Sequence, residues 1–184
     1  MRLPDGAGII ALRGVPPRHT RPTIRLSGSV CIDAAVEDVW TSLARLEDIR
    51  LWSEAVLDAR CEGAVKRGVG AERTCDLRGG VTITERWLDW DEGRSFTYEG
   101  IGIPFVASAR NEWSLCPEGA QTLLTSDAQV VLKGGIVGRL LEPLVARQLR
   151  RIGPRTLAAF KYLVENGRPP AVEHAKLPGA PAAC

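Results

Sequence analysis

The sequence predicts an α+β domain in which a curved, seven-stranded antiparallel sheet wraps around one long C-terminal helix. Three observations support this prediction. Between residues 55 and 133, six runs of strand character alternate with short turns, which is typical of an antiparallel meander. A strand and two short helical segments precede these runs, and one long amphipathic stretch follows them. An apolar sheet face and an apolar helix stripe become stable by packing on each other.

The 184 residues divide into a body and two flanks. Residues 1–22 hold several prolines between short apolar pieces and predict an irregular N-terminal extension. Residues 168–184 are rich in proline and alanine and predict a flexible C-terminal tail. Residues 23–167 remain as one domain of ordinary size.

The body begins with a strand over Thr23–Ile32, where apolar and polar side chains alternate with a period of two. Asp33 follows at a position typical of a helix N-cap, and apolar residues then recur at helical spacing as far as Leu43. A second short helical segment is predicted over Leu46–Trp52, because two acidic residues stand near its start.

Six further strands are predicted between the turns. They are Val56–Glu62, Ala71–Leu77, Val81–Trp90, Ser95–Gly100, Val106–Cys116 and Gln121–Lys133. The second and third of these runs are joined at residues 78–80, Arg-Gly-Gly. A loop of all three residues places Arg73 opposite Glu85, and the apolar sides of the two strands then lie on the same face of the sheet. A two-residue loop would instead place the apolar side of one strand beside the polar side of the other. We therefore predict a cross-strand ion pair between Arg73 and Glu85.

The last element is an amphipathic helix over Ile136–Glu165. Residues 153–154, Gly-Pro, are expected to kink or split it, because proline removes a backbone donor and clashes with the preceding turn. Residues 166–167, Asn-Gly, are typical of a helix C-cap. A basic stretch on this helix indicates a solvated face, with a phosphate or anionic-membrane patch as the alternative. It consists of Arg147, Arg150, Arg151 and Arg155.

Composition and charge exclude several classes of protein. Hydrophobic residues make up 45% of the chain and charged residues 25%, which is typical of a soluble globular protein. No stretch approaches the ~20 apolar residues of a membrane span, and the first residues do not resemble a signal peptide, so we expect a cytoplasmic location. The net charge of +2 argues against nucleic acid as the main partner.

The distribution of histidine and cysteine limits the possible chemistry. The two histidines, His19 and His174, lie in the flanks, which removes serine–histidine and cysteine–histidine catalysis and the HExxH zinc motif from the body. The five cysteines show no CxxC spacing, and we expect free thiols in a reducing compartment. We predict neither a metal nor a cofactor.

Alternation along the strands sorts the side chains into inner and outer faces. The inner face is apolar except for Arg73, Glu85, Tyr98, Asn111 and Ser126. In the strand Val81–Trp90, the outer side holds Thr82, Thr84, Arg86, Leu88 and Trp90. A few polar groups in an apolar lining are typical of a small-molecule site, and the alternative is a structural network that contacts no ligand. Three tryptophans complete the candidate ligand-binding set, with core packing as their alternative role: Trp52, Trp87 and Trp113.

Several stretches of the body together match a family pattern. In chain order they are Ile32–Trp40, Ile49–Trp52, Gly68–Arg73, Ile83–Arg86 with Asp91 and Tyr98, and Leu157–Glu165. In their order and spacing, residues 23–166 resemble the SRPBCC superfamily, also called START-like or helix-grip proteins, and most closely its polyketide cyclase/dehydrase and lipid-transport branch. The resemblance implies a deep apolar cavity between sheet and long helix that holds a hydrophobic small molecule. It assigns no catalytic residues.

Three functions are compatible with this resemblance. The first is a bacterial carrier or sequestering protein for a lipid, polyketide or similar molecule. The second is a polyketide cyclase or aromatase, in which Arg73 or Tyr98 stabilises an enolate and Glu85 transfers protons. The third is a co-chaperone or interaction module. We favour the first, and we expect a hydrophobic small-molecule partner, no nucleic acid, no stable membrane insertion, and a monomer or homodimer.

Overall fold

The computed structural model describes residues 21–170, and within them one sheet and one long helix form as predicted. The strands are β1 (Thr23–Ile32), β2 (Val56–Glu62), β3 (Glu72–Leu77), β4 (Val81–Asp91), β5 (Ser95–Ile101), β6 (Val106–Glu118) and β7 (Gln121–Leu132). The helices are α1 (Val36–Leu43), α2 (Ile49–Trp52), preceded by a 3₁₀ turn at Leu46–Asp48, and α3 (Ile136–Asn166). The predictions for residues 1–20 and 171–184 lie outside the described residues.

The strands form a single antiparallel sheet in the order β1-β7-β6-β5-β4-β3-β2. From β2 to β7 each strand pairs with its neighbour in sequence, as expected of a meander. β1 instead pairs with β7, so that β1 and β2 occupy opposite edges of the sheet, and the short helices connect them. Together with α3 this is the helix-grip fold.

Two groups of buried side chains hold the helices on the sheet. The larger group joins α1, α2 and the C-terminal part of α3 to the inner face, and Trp52, Trp87 and Phe160 are among its members. The smaller group lies under the N-terminal half of α3, where Ala146 packs near Leu132. Because burial of apolar surface is the main favourable contribution to folding, these two groups fix the position of α3 over the sheet.

The β3–β4 hairpin has the predicted register. Leu77 pairs with Val81, and Arg73 pairs with Glu85, so the loop contains three residues. Gly79 has a φ of 99° in this loop, a backbone conformation that glycine adopts at no steric cost. The predicted three-residue loop and its register are confirmed.

Two local predictions are wrong. Asp33 does not cap α1; Ala35 occupies the N-cap position, and the backbone N–H of Asp33 donates to Oε1 of Glu165 in α3 at 2.7 Å. Trp90 does not belong to the outer face. A register shift between Trp87 and Asp89 interrupts the alternation, and the Trp90 ring packs against the core, with its centroid 5.3 Å from that of Phe96.

Residues 153–154 are expected to kink or split α3. The helix continues through Pro154 without a break, so it is not split there. Leu149 before the proline and Leu157 after it both pack against buried clusters. That packing outweighs the roughly 3 kcal/mol by which proline disfavours a helix interior. The predicted C-cap is confirmed, because Gly167 has a φ of 64° and its N–H donates to the carbonyl oxygen of Leu163 at 2.9 Å.

The cysteines do not all behave as expected. Cys61 and Cys75 are buried free thiols, and Cys116 is an exposed one. Cys31 is disulfide-bonded, so the expectation of free thiols is wrong at that position. Cys184 lies outside the described residues. None of the helices within residues 21–170 has the length and apolar character required to cross a bilayer.

Candidate ligand-binding site

A cavity of about 380 Å³ lies between the inner face of the sheet and α3. Its volume falls within the range of roughly 300–1,000 Å³ that is common for small-molecule sites. The wall is mainly apolar, and its large apolar members are Leu26, Ile49, Trp52, Val56, Leu77, Ile83, Trp113, Leu149, Ile152 and Leu157. A cavity with such a lining favours an apolar ligand, because binding removes apolar surface from water on both sides.

Arg73 and Glu85 form the predicted ion pair. The Arg73 Nε and Nη2 atoms lie 2.8 and 2.5 Å from Oε2 of Glu85, and the two residues are 3% and 7% exposed. The third guanidinium nitrogen, Nη1, donates to the carbonyl oxygen of Leu46 in the 3₁₀ turn. The Arg73 Cζ atom lies 5.0 Å from the centroid of the Trp87 ring, a cation–π distance. Burial disfavours the charge of Arg73, but the facing carboxylate more than offsets it and raises the pKa of Arg73.

Glu85 uses only one of its two carboxylate oxygens in these contacts. Both Arg73 donors and the Cys75 thiol, at 3.5 Å, approach Oε2. No donor within residues 21–170 reaches Oε1, and Glu85 lines the cavity. The site therefore offers a ligand one charged hydrogen-bond acceptor.

Cys75 lies beside Glu85 on the cavity wall. Burial, followed by the charge of Glu85, raises the pKa of the Cys75 thiol to about 12. The thiolate is the nucleophilic form of cysteine, so this residue stays a neutral thiol near neutral pH. Cys75 therefore contributes to the lining and not to nucleophilic chemistry.

A row of three polar side chains crosses adjacent strands on the inner face. Ser126 on β7 donates its hydroxyl to Oδ1 of Asn111 on β6 at 3.1 Å, and Nδ2 of Asn111 donates to the Tyr98 hydroxyl on β5 at 3.2 Å. Burial raises the pKa of Tyr98 to about 12, so the phenol keeps its proton. Within the described residues that proton has no acceptor, and all three side chains line the cavity. Tyr98 is thus available as a hydrogen-bond donor.

The structure places six of the eight candidate ligand-binding residues on the cavity wall. They are Glu85, Tyr98, Asn111, Ser126, Trp52 and Trp113. Arg73 and Trp87 do not line the cavity, because Arg73 is held behind Glu85 and Trp87 is covered by Arg73 and Tyr98. An inward-facing strand position therefore does not guarantee contact with the cavity, since the short helices cover part of the inner face.

The candidate set missed the part of the wall that comes from α3 and from the segment after α2. These residues include Ser53, Ala55, Leu149, Arg150, Ile152, Gly153, Thr156 and Leu157. Ser53, Arg150 and Thr156 are polar and carry no alternation signal, while Leu149, Ile152 and Leu157 belong to the apolar helix stripe that the sequence displays. Their place depends on how α3 sits over the sheet. No group of three or more histidine, cysteine, aspartate or glutamate side chains in residues 21–170 is arranged to hold a metal ion.

Solved structures share this fold. The Zhui aromatase/cyclase from Streptomyces sp. R1128 superposes with a TM-score of 0.64 at 20% identity, over 79% of this chain and 95% of its own. A point mutant of norcoclaurine synthase from Thalictrum flavum, in complex with a transition-state analogue, gives 0.62 at 15% identity, over 80% and 98%. A START superfamily protein from Mycobacterium smegmatis gives 0.56 at 15% identity, over 68% and 89%. At these identities the likeness is one of fold.

At the level of sequence, no curated protein matches the chain. Residues 23–165, however, match the family described as "Polyketide cyclase / dehydrase and lipid transport". That range contains the whole sheet, the two short helices and nearly all of α3, and so every residue on the cavity wall. The chain therefore belongs to the polyketide cyclase/dehydrase and lipid-transport family.

Proposed function

We propose that the protein binds a hydrophobic small molecule, such as a lipid or a polyketide, in the cavity between the sheet and α3, as a carrier or sequestering protein. The observation that supports this proposal is the composition of the cavity wall. A mainly apolar lining surrounds polar groups that lack a partner within residues 21–170, among them Oε1 of Glu85 and the hydroxyl proton of Tyr98. A structural polar network satisfies its own members, whereas these two groups remain available to a ligand.

The two polar groups limit the chemistry of the ligand. The Glu85 carboxylate accepts a hydrogen bond, so the ligand needs a hydroxyl or amine donor at that end. Tyr98 donates, so a carbonyl or hydroxyl oxygen suits the neighbouring position. The rest of the ligand is apolar, to match the wall. A hydroxylated fatty acid, a flavonoid and a phenolic polyketide all meet these conditions, whereas a saturated hydrocarbon meets only the last.

The proposal is tested by titrating the protein with a fatty acid, a flavonoid and an apolar fluorescent dye. We expect micromolar binding, about 8 kcal/mol, and a fluorescence change of the tryptophans on the wall. Ala128→Phe places an aromatic ring in the cavity and should abolish binding. Ala107→Phe is the matched control, because Ala107 is exposed on the neighbouring strand and should leave binding unchanged. Wild-type protein with no saturable response to any probe, or an Ala128→Phe variant that binds normally, would contradict the proposal. Native mass spectrometry of fresh protein identifies a co-purified ligand.

A second candidate function is that of a polyketide cyclase or aromatase. It is favoured by one observation, the presence of a protonated phenol and a free carboxylate oxygen in one cavity, which supplies an acid and a base. Added to a polyketide synthase reaction, the protein would then change the product profile, and Tyr98→Phe would lose that effect while still binding the dye. An unchanged product profile leaves the carrier as the proposed function.

A further inference from the structure

The outer side of α3 carries an apolar row near its N-terminus. Ile136, Leu140 and Leu144 follow one another at intervals of four residues, and they are 78%, 71% and 65% exposed. Side chains four apart lie one above the other on a helix. The water-facing side of a helix is ordinarily polar, and contiguous exposed apolar side chains commonly mark a surface that binds something.

A second element adds to this apolar surface. Phe105, in the loop between β5 and β6, is 58% exposed and has a φ of 61°. Its carbonyl oxygen accepts a hydrogen bond at 2.8 Å from the N–H of Lys133, which lies three residues before α3. The next residue, Val106, packs against the cluster that contains Ala146 of α3. The loop and the first turns of α3 therefore lie at the same end of the molecule.

The surroundings of the row are strongly basic. Between residues 133 and 151 the chain has five basic residues and one acidic residue, Glu142, while the whole chain carries only +2. The basic residues are Lys133, Arg139, Arg147, Arg150 and Arg151. None of their side chains has a hydrogen bond or ion pair with any residue from 21 to 170, and all five residues are exposed. No ion pair within residues 21–170 therefore neutralises the basic side chains of this surface.

The positive charge of this surface indicates which kind of molecule binds to it. A second copy docked on the same face would bring two basic surfaces together. Arg21, the first described residue, has its Cγ near Gly134, and the twenty residues that precede it in sequence also carry a net positive charge. Both are electrostatically unfavourable, so the occupant is anionic.

The shape of the surface favours a bilayer over an acidic protein. The row lies on the convex side of a helix, and the depression beside it is lined by charged Glu142, Arg147 and Arg150 as well as Pro143 and Ala146, so it is not an apolar groove for a partner side chain. A bilayer needs no groove, because apolar side chains enter the boundary between headgroups and acyl chains while arginines contact anionic headgroups. In addition, the next turn of α3 carries Leu149 and Arg150, which line the cavity.

We propose that the first half of α3, together with Phe105, docks the protein reversibly on membranes that contain anionic lipids. The helix lies on the bilayer surface and does not cross it. Docking does not require the cavity to hold a ligand, so this proposal and the proposed function fail independently. Only the corollary that the docked face lets a hydrophobic ligand pass between bilayer and cavity rests on the proposed function.

The test is co-sedimentation of the full chain with vesicles of phosphatidylcholine alone and of phosphatidylcholine mixed with phosphatidylserine. We expect binding to the mixed vesicles, at least about tenfold weaker binding to the neutral ones, and a loss of binding as salt is raised. Leu140→Ser with Leu144→Ser should weaken binding about tenfold, because two apolar contacts with the bilayer are lost. The matched control, Leu57→Ser with Val69→Ser, removes two similarly exposed apolar side chains elsewhere and should bind like wild type.

A second pair of variants tests the charge. Arg147→Gln with Arg151→Gln should reduce binding to the mixed vesicles about tenfold, whereas Arg25→Gln with Arg110→Gln, on exposed positions of the sheet, should not. The proposal is overturned if wild-type protein ignores the mixed vesicles, or if both α3 variants bind as well as wild type. It is also overturned if the chain is a dimer by light scattering that the leucine variant dissociates, since the occupant of the row is then a second copy.

Discussion

At Glu85, one carboxylate oxygen takes part in the fold and the other is left for the cavity. Oε2 accepts hydrogen bonds from Nε and Nη2 of Arg73, and Nη1 of Arg73 donates to the Leu46 carbonyl oxygen. One buried cation therefore links the sheet to the turn before α2. A buried ion pair is a weak source of stability, because removing two charges from water opposes their attraction. The cavity gives the pair a second use, since a carboxylate fixed by arginine presents Oε1 without reorganisation.

Replacing one partner of this pair should be costly. We expect Arg73→Met to lower the free energy of unfolding by about 3–5 kcal/mol, because it leaves the Glu85 charge buried and unpaired. Combining Arg73→Met with Glu85→Gln should recover most of that loss and yet weaken binding of a hydroxylated ligand, since the charged acceptor is gone. Urea denaturation measures the first effect and ligand titration the second. If the double variant binds as tightly as wild type, the pair has only a structural role.

Tyr98 should make the stability depend on pH in the alkaline range. Its pKa is raised from 10.0 to about 12 by burial, so between these two values the folded state holds a proton that an unfolded tyrosine has released. The contribution of the protonated Tyr98 phenol to the free energy of unfolding is present in full below pH 10 and disappears as the pH rises towards 12. We expect wild type to lose about 1–3 kcal/mol relative to Tyr98→Phe over this window.

Denaturation of the two proteins at a series of pH values checks this prediction, and Tyr162→Phe serves as the control for loss of the other tyrosine. A constant difference between wild type and Tyr98→Phe from pH 9 to pH 12 would show that the Tyr98 phenol ionises as freely in the folded state as in the unfolded one.

At the scale of elements, local sequence predicted the strands and much of the inner face. Alternation places Glu85, Asn111 and Ser126 correctly, because a half-buried strand exposes successive side chains to opposite environments. The same rule fails for Trp90, since a bulge reverses the alternation and nothing in the local pattern marks it. Strand alternation also cannot predict which residues of α3 line the cavity, such as Ile152, because that depends on where the helix lies over the seven strands.

Two glycines of α3 should respond oppositely to the same substitution. Apart from its two chain neighbours and the nearby backbone of α3, a Cβ at Gly153 meets no atom within 4 Å, so Gly153→Ala should raise the free energy of unfolding by roughly 0.5–1 kcal/mol through higher helix propensity. Gly167 ends the helix with a φ of 64°, so Gly167→Ala should lower stability by about 1 kcal/mol. Thermal and urea unfolding measure both. A destabilising Gly153→Ala would indicate that contact between the added Cβ and the ring of Pro154 outweighs the gain in helix propensity.

At the scale of the whole molecule, the cavity connects ligand binding to stability. A ligand that binds only the folded state at 100 times its Kd adds about 2.7 kcal/mol. For a domain of this size, we expect the Tm to rise by roughly 5–10 °C with a saturating ligand. Differential scanning calorimetry with and without ligand measures the shift, and Ala128→Phe, in which the cavity is filled, should show none. An equal rise in Tm for wild type and Ala128→Phe would show that the ligand binds outside the cavity.

The strand order also determines when during synthesis the sheet can be completed. Every strand from β3 to β7 pairs with a strand that has just been made, but within residues 21–170 β1 pairs only with β7, which follows about 90 residues later. At a synthesis rate of about 5–20 residues per second, β1 therefore waits roughly 5–20 s on the ribosome before it can pair. The meander from β2 to β7 forms first through local contacts. β1, although it is made before the other strands, pairs with the free edge of β7 only shortly before α3 is made and covers the cavity.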